Sequence, residues 1–255
     1  MSVKPVCVVT GSSSGIGAAT AERFAREGWN VAINFSRDPV PARRVAAQCA
    51  AAGADVLVHQ ADVSDDAACR AFAAAVEQRW GRCDVLVNNA GATKFVEARD
   101  LEGLSGEDFQ RIFSVNVVGP FQMARAFAAL MRRNPGGGIV NVSSIASLLG
   151  AGSSIAYAAS KGALNTLTLS LARTLGPELR VNAVAPGMVD SSWLRTGLGE
   201  ERFAARRDAY IARAALRELI DPADVAEAIF WLGAGAKKTT GEVLVVDAGA
   251  RAGRN

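Results

Sequence analysis

Tyr157 and Lys161 stand four residues apart in the run Tyr157-Ala158-Ala159-Ser160-Lys161, a spacing that puts both side chains on one face of a helix. A tyrosine alone titrates near pKa ~10 and is a poor acid–base group at neutral pH. A neighbouring ammonium favours the phenolate and lowers that value. The same pair on an ordinary surface helix would do no chemistry, so the surrounding residues decide. Ser144 lies 13 residues before Tyr157, just after the apolar run 139–142, and strand ends are where open α/β sheets place reactive groups. Ser143 is the competing hydroxyl. Asn116 sits inside a helical pattern, where its plainest use is a packing hydrogen bond. A phenol, an ammonium and a hydroxyl together suit proton transfer to an oxygen on which charge develops, as in carbonyl reduction.

A second motif lies near the start. Val6-Cys7-Val8-Val9-Thr10 leads into Gly11-Ser12-Ser13-Ser14-Gly15-Ile16-Gly17 and then a helical segment. A strand, a glycine-rich turn and a helix in that order predict a phosphate site. Glycines let the backbone turn tightly and approach a pyrophosphate, which rests on the free N–H groups of the helix N-terminus. By itself such a turn could equally be a flexible loop.

The elements that must position these groups are short apolar runs at 6–9, 31–34, 55–59, 85–87, 138–142, 180–184 and 243–246. Each is continuously apolar, as strands covered on both faces are. Helical patterns alternate with them at 15–27, 41–52, 65–80, 108–133, 155–176 and 222–233. The alternation predicts an α/β fold with a doubly wound, seven-stranded parallel sheet and helices on both faces. The chain reads as one domain over 1–255, with 190–219 as a substrate lid, because that polar segment is longer than an ordinary connection.

Composition excludes several classes. A net charge of +3 is too small to indicate nucleic acid or an anionic membrane as the main partner. No apolar run reaches the ~18 residues of a membrane span. Cys7, Cys49, Cys69 and Cys83 form no C-x-x-C pair and His59 has no companion ligands, so no metal site is expected and reduced thiols in a cytoplasm fit best. Met1 to Pro5 runs straight into the first strand without a signal-peptide core.

The glycine spacing Thr10-Gly11-x-x-x-Gly15-x-Gly17 resembles the cofactor signature of the classical short-chain dehydrogenase/reductase family, and further matches follow in the family's order. They are Asp62-Val63 after the third strand, Asn88-Asn89-Ala90-Gly91 at the end of the fourth, Pro186-Gly187 after the sixth, and Thr240-Gly241-Glu242 before the last. The resemblance implies a single-domain Rossmann fold and a hydride transfer between a nicotinamide cofactor and a carbonyl or alcohol. It also implies a tetrad of Asn116, Ser144, Tyr157 and Lys161. There Tyr157 is the general acid/base and Ser144 orients the substrate oxygen. Lys161 holds the ribose hydroxyls and lowers the Tyr157 pKa, and Asn116 supports a water relay. Cofactor contacts are expected from Gly11, Ser13, Ser14, Gly15, Ile16, Gly17, Ser36, Arg37, Asp62, Val63, Asn89, Ala90, Gly91, Tyr157, Lys161, Pro186, Gly187 and Val189. A non-catalytic, cofactor-sensing regulator would share the fold but would be expected to lose Tyr157 or Lys161.

Phe35 ends the second strand, where NAD-selective relatives carry an acid, and Ser36 and Arg37 follow. A hydroxyl and a guanidinium there favour the 2′-phosphate of NADP, with NAD the alternative. Thr93, Ala146, Leu148, Leu149, Ser154, Met188, Trp193 and Leu194 are candidate pocket residues, and their mixed character names no substrate. The pattern is similar to 3-oxoacyl-(acyl carrier protein) reductases and glucose dehydrogenase-like members. Arg132 and Arg133 could grip an acidic carrier, although Glu178 stands where an arginine would help. Relatives imply a homotetramer, for which Phe121, Ala124, Phe127, Ala128, Leu164, Leu167 and Leu171 offer apolar faces.

Overall fold

Strand β1 (Val6–Val9) is buried along its whole length because alternate side chains enter opposite cores: Cys7 and Val9 one, Val6 and Val8 the other. The same holds for β4 (Val85–Asn88) and β5 (Gly138–Val142), and for β2 (Asn30–Phe35) and β6 (Arg180–Pro186) beyond their first residue, while β3 (Val56–Gln60) and β7 (Val243–Val246) are the partly covered edges. The computed structural model describes residues 4–97 and 99–253; Met1, Ser2 and Val3, read above as leading into β1, lie outside the described residues. All strand pairs are parallel, in the order β3-β2-β1-β4-β5-β6-β7. The order reverses beside β1, so a crevice opens between the carboxyl ends of β1 and β4.

Helices α1 (Gly15–Arg26), α2 (Pro39–Ala51), α3 (Asp66–Trp80), α4 (Gly106–Phe113) and α5 (Gly119–Arg132) follow the first strands. They are succeeded by α6 (Ala146–Leu149), α7 (Ile155–Leu175), α8 (Ser192–Leu198), α9 (Glu200–Arg213) and α10 (Pro222–Phe230). One core packs α1 and α10 on the sheet around Phe24 and Ile229; the other packs α3 and α5 around Phe72, Phe127 and Met131. The continuous helix expected over 108–133 is interrupted by a π-helical turn, Ser114–Val118, and a second such turn, Trp231–Gly235, follows α10.

Two sequence expectations change here. Ala124, Phe127, Ala128 and Leu171 belong to the core of the single chain and Leu164 is buried with them, so they offer no free face. The apolar groups left exposed on this side are Val118, Phe121 and Leu169. Arg132 and Arg133, at the end of α5, also lie at the edge of the sheet opposite the cleft. A helix between parallel strands runs back to the amino edge of the sheet, and Arg133 lines a hollow there with Pro5, Asp84 and Gly137, its guanidinium paired to Glu77.

The segment 190–219 is a closed loop rather than an open excursion. Val189 bridges Ile220, and Asp190 N–H donates to the Ile220 carbonyl at 2.9 Å. Within it α9 buries Phe203 and Tyr210, whereas α8 buries no residue. Local stability follows burial. Backbone amides of α8 are therefore expected to exchange with solvent faster than those of α9; equal protection, read by hydrogen exchange and mass spectrometry, would contradict this.

Candidate active site

The carboxyl ends of the strands open into a cleft of about 980 Å³, the size of a small-molecule or cofactor site. Gly11, Ser14, Gly15 and Ile16 line one end. Gly11 and Gly15 have φ of 59° and 54°, the left-handed region that favours glycine. Helix α1 begins at Gly15 with no side chain capping it, so the free N–H groups of its first turn border the cleft and suit an anion. The loop is held from behind. Asn34 Oδ1 accepts from Gly11 N–H at 3.0 Å while its Nδ2 donates to the Ala61 carbonyl at 2.9 Å. Asn89 Nδ2 donates to the carbonyls of Thr10 and Gly11 at 2.9 and 3.0 Å. Gly17 does not line the cleft. A Cβ there would strike Asn89 Nδ2 and sit 2.5 Å from the Gly11 carbonyl oxygen, so this glycine permits close packing of helix on loop. Ser13 is likewise not among the lining residues.

Further along, Ser36, Arg37, Asp62, Val63, Asn89, Ala90, Gly91, Pro186, Gly187 and Val189 all line the same cleft. Ser36 and Arg37 are exposed at the end of β2. Asp38 does not neutralise Arg37; its carboxylate accepts from Val40 N–H at 2.9 Å and caps α2. No ion pair involves Arg37 among the described residues. Asp62 is the one carboxylate among the described lining residues, against Arg37, Arg111, Lys161, Arg206 and Arg213. That balance, with the uncapped α1 turn, fits a phosphate-bearing dinucleotide.

The acid–base candidates meet at the middle of the cleft. Ser144 follows β5 and Tyr157 and Lys161 project from the first turns of α7, which starts where Ser154 Oγ accepts from Tyr157 N–H at 3.2 Å. Ser154 is therefore a buried helix cap rather than a pocket group, and Leu148 also lies outside the lining, whereas Thr93, Ala146, Leu149, Met188, Trp193 and Leu194 line it. Lys161 is 3% exposed and its Nζ donates to the Val142 carbonyl at 2.7 Å, 5.6 Å from the Tyr157 ring centre. Burial pushes the Tyr157 phenol up to about 12, with the Ser144 hydroxyl pulling the other way. Burial also pulls the Lys161 ammonium down to about 8. In the protein alone, loss of hydration outweighs the Ser144 hydroxyl that favours the phenolate.

Asn116 lies in the π-helical turn, fully buried. Its Oδ1 accepts from Ala92 N–H at 2.7 Å, and its Nδ2 donates to the Ala92 carbonyl and to Ser160 Oγ, both at 2.9 Å. It therefore stands behind the cleft, fixing the chain after β4. One lone pair on Oδ1 is left for a water. Helical periodicity gave no hint of the π turn, which inserts a residue and re-aims this amide.

Several lining groups were not singled out from sequence. Phe95 contacts Trp193 with ring centres 5.6 Å apart, and Trp193 in turn lies 6.1 Å from Tyr157. Arg206 pairs with Glu97 at 3.2 Å, tying α9 to the segment after β4. Asn34 had a legible signal, a lone amide inside an apolar strand; Phe95 and Arg206 had none, since they meet only when α8 and α9 fold over the cleft.

Comparison with known proteins agrees with this geometry. A family model described as enoyl-(acyl carrier protein) reductase matches residues 11–251. A ketoacyl reductase assigned to the granaticin polyketide synthase of Streptomyces violaceoruber is 42% identical over 246 residues, 96% of each chain. Glucose 1-dehydrogenase 2 of Bacillus subtilis is 35% identical, across 95% of this chain and 93% of that one. A crystal structure assigned to the short-chain dehydrogenase/reductases, from Burkholderia xenovorans, superposes with a TM-score of 0.91 at 45% identity, covering 99% of this chain and 100% of the other. A parallel sheet with its switch point at a glycine-lined cleft, and relatives matched over nearly their full length, place the chain in the short-chain dehydrogenase/reductase family, as a nicotinamide-dependent oxidoreductase acting on CH–OH or C=O groups.

Proposed function

We propose that the enzyme interconverts a small carbonyl compound and its secondary alcohol with NADP(H), using Tyr157 as general acid/base. The observation that carries this reading is that Ser144, Tyr157 and Lys161 line one cleft at the end of β5, with the Lys161 ammonium buried there. The nicotinamide cofactor, when bound, supplies or accepts the hydride. The glycine loop and the first turn of α1 would hold its diphosphate, Asp62 and Val63 its adenine, and Pro186, Gly187 and Val189 its nicotinamide end. With the phenol pushed up to about 12, Tyr157 keeps its proton at neutral pH and is ready to donate it to a carbonyl oxygen held by Ser144. Lys161 uses one of its three donors on Val142 and has two left for ribose hydroxyls. Asn116 keeps the backbone of Ala92 in place and offers one acceptor to a water that could return the proton. Gly17 lets α1 pack closely on the loop from outside the cleft.

NADP is favoured over NAD because Arg37 and Ser36 border the cleft free of an acid, and Phe35 brings no carboxylate to repel a 2′-phosphate. The segment 190–219 acts as the substrate lid, with α8 as its loosest part. The exposed Val118, Phe121 and Leu169 support association into a homotetramer. All four cysteines are buried and unpaired, which supports a reducing, cytoplasmic setting. No described helix is long and apolar enough to cross a membrane. Delivery of the substrate on a carrier protein is not favoured, since Arg132 and Arg133 are at the wrong edge of the sheet.

Tyr157→Phe is expected to bind cofactor normally and lose about 10²-fold or more in kcat, as for removal of a positioned acid–base group. Ser144→Ala should lose similarly and Ser143→Ala less; near-normal turnover of Tyr157→Phe on a panel of ketones and alcohols would remove it from the mechanism. The pH dependence follows from direction. Oxidation needs Tyr157 deprotonated, against a raised pKa, so its kcat/KM should climb with pH. Reduction uses the protonated phenol and should decline only above about pH 8, where Lys161 loses its charge. A reduction rate that rises with pH would contradict the assignment.

Arg37→Ala should weaken NADPH binding by about ten- to hundredfold, the worth of one charge-assisted hydrogen bond, and leave NADH nearly unchanged; fluorescence titration of both cofactors checks this. Light scattering should report four copies, and a monomer at micromolar concentration would contradict the assembly.

A further inference from the structure

Helix α7 turns a polar stripe toward β5 that extends beyond Lys161. Thr168 Oγ1 accepts from Asn141 Nδ2 at 2.9 Å, Lys161 Nζ donates to the Val142 carbonyl at 2.7 Å, and Asn165 Oδ1 accepts from Ser143 Oγ at 2.6 Å. Residues 161, 165 and 168 share a helix face, and their partners are three successive residues leading up to Ser144. Asn165 does more than its neighbours. Its Nδ2 donates to Ser147 Oγ at 2.8 Å, and that hydroxyl donates to the Ser144 carbonyl at 2.6 Å. The chain therefore grips the peptide of Ser144 on both sides. One grip runs through Ser143, which is 3% exposed; the other runs through the short turn that begins α6. Ser144 itself is further shaped by Ala146 N–H, which donates to its Oγ at 3.2 Å.

Ser144 sits on a loop and Tyr157 on a helix, two elements with no continuous backbone register between them. A hydroxyl that must hold a substrate oxygen at hydrogen-bond distance from a phenol needs that separation fixed, because a misplacement of about 1 Å can cost about 10²-fold in rate. Asn165 is the side chain that spans the gap, two helical turns after Tyr157 on the same rigid helix.

We propose that Asn165 is a positioning residue for the proton-transfer site, fixing the Ser144 hydroxyl against Tyr157 through its paired hydrogen bonds to Ser143 and Ser147. The proposal rests on Tyr157 and Ser144 acting as described above. It assigns Asn165 no contact with substrate or cofactor.

The test is steady-state kinetics of the full-length enzyme with a carbonyl and alcohol pair that it turns over, comparing Asn165→Ala, Ser147→Ala and the double variant. Asn165→Ala should lose about ten- to hundredfold in kcat with NADPH affinity unchanged by fluorescence titration. The pH profile of alcohol oxidation should move to higher pH, since a displaced Ser144 no longer favours the phenolate. Ser147→Ala removes one of the two grips from the loop side and should give a smaller loss of the same kind, so it also serves if Asn165→Ala does not fold. The double variant should lose no more than Asn165→Ala alone, because both act through one connection. A folded Asn165→Ala enzyme with kcat and pH profile of the wild type would overturn the proposal, as would losses that simply multiply in the double variant. Tyr157→Phe is measured alongside. If it is inactive while Asn165→Ala is normal, only this proposal fails; if it is active, the reading of the site fails and this one with it.

Discussion

The hydrogen bond from Lys161 to the Val142 carbonyl is the contact on which the site depends. An ammonium that is 3% exposed must have partners, and this one is held by the last residue of β5. The bond fixes the start of α7 against the carboxyl end of the sheet, and with it Tyr157, one turn earlier on the same helix. The position of β5 is in turn set by its parallel neighbours, with Val142 opposite Val184 and Asn141 opposite Asn88. A shift of one residue in that register would exchange every side chain between the two cores.

Burial also sets the electrostatics. Removal from water moves both ionisable partners toward their neutral forms, Tyr157 up to about 12 and Lys161 down to about 8. The protein alone is thus poised with its proton on the phenol, the form that a carbonyl oxygen needs. Ser144 is the group that opposes this shift. Its geometry therefore bears on acidity as well as on orientation, and the network through Ser143, Asn165 and Ser147 controls both.

Side-chain amides brace several of the turns around the sheet. Asn34 fastens the glycine turn from β2, and Asn89 fastens it from the end of β4. Asn182 on β6 donates to Thr239 and accepts from Glu242 N–H, holding the turn into β7. An amide carries both donor and acceptor, so one side chain can satisfy two backbone groups that a parallel sheet leaves unpaired at its ends. The loops that form the cleft are rigid at their roots for this reason. Helix α8, by contrast, buries no residue.

The sequence by itself determined the sheet, because strands covered on both faces must be largely apolar, as 6–9 and 85–87 are, and because glycines at 11 and 15 are required by positive φ. It also singled out Tyr157, Lys161 and Ser144, which one helix and one strand end bring to the same cleft. Tertiary structure decided what depends on neighbours distant in sequence. It turned Ser154 into a cap and Gly17 into a packing site. It moved Phe127 and Ala128 from a supposed interface into the core, and placed Arg133 at the far edge of the sheet. It also set a π turn at Asn116 and placed the Tyr157 phenol where loss of hydration raises its pKa. Periodicity records which face of an element is apolar, but not which other element covers it. Desolvation, packing and hydrogen-bond partners belong to that second element, and they exist only once the chain has folded.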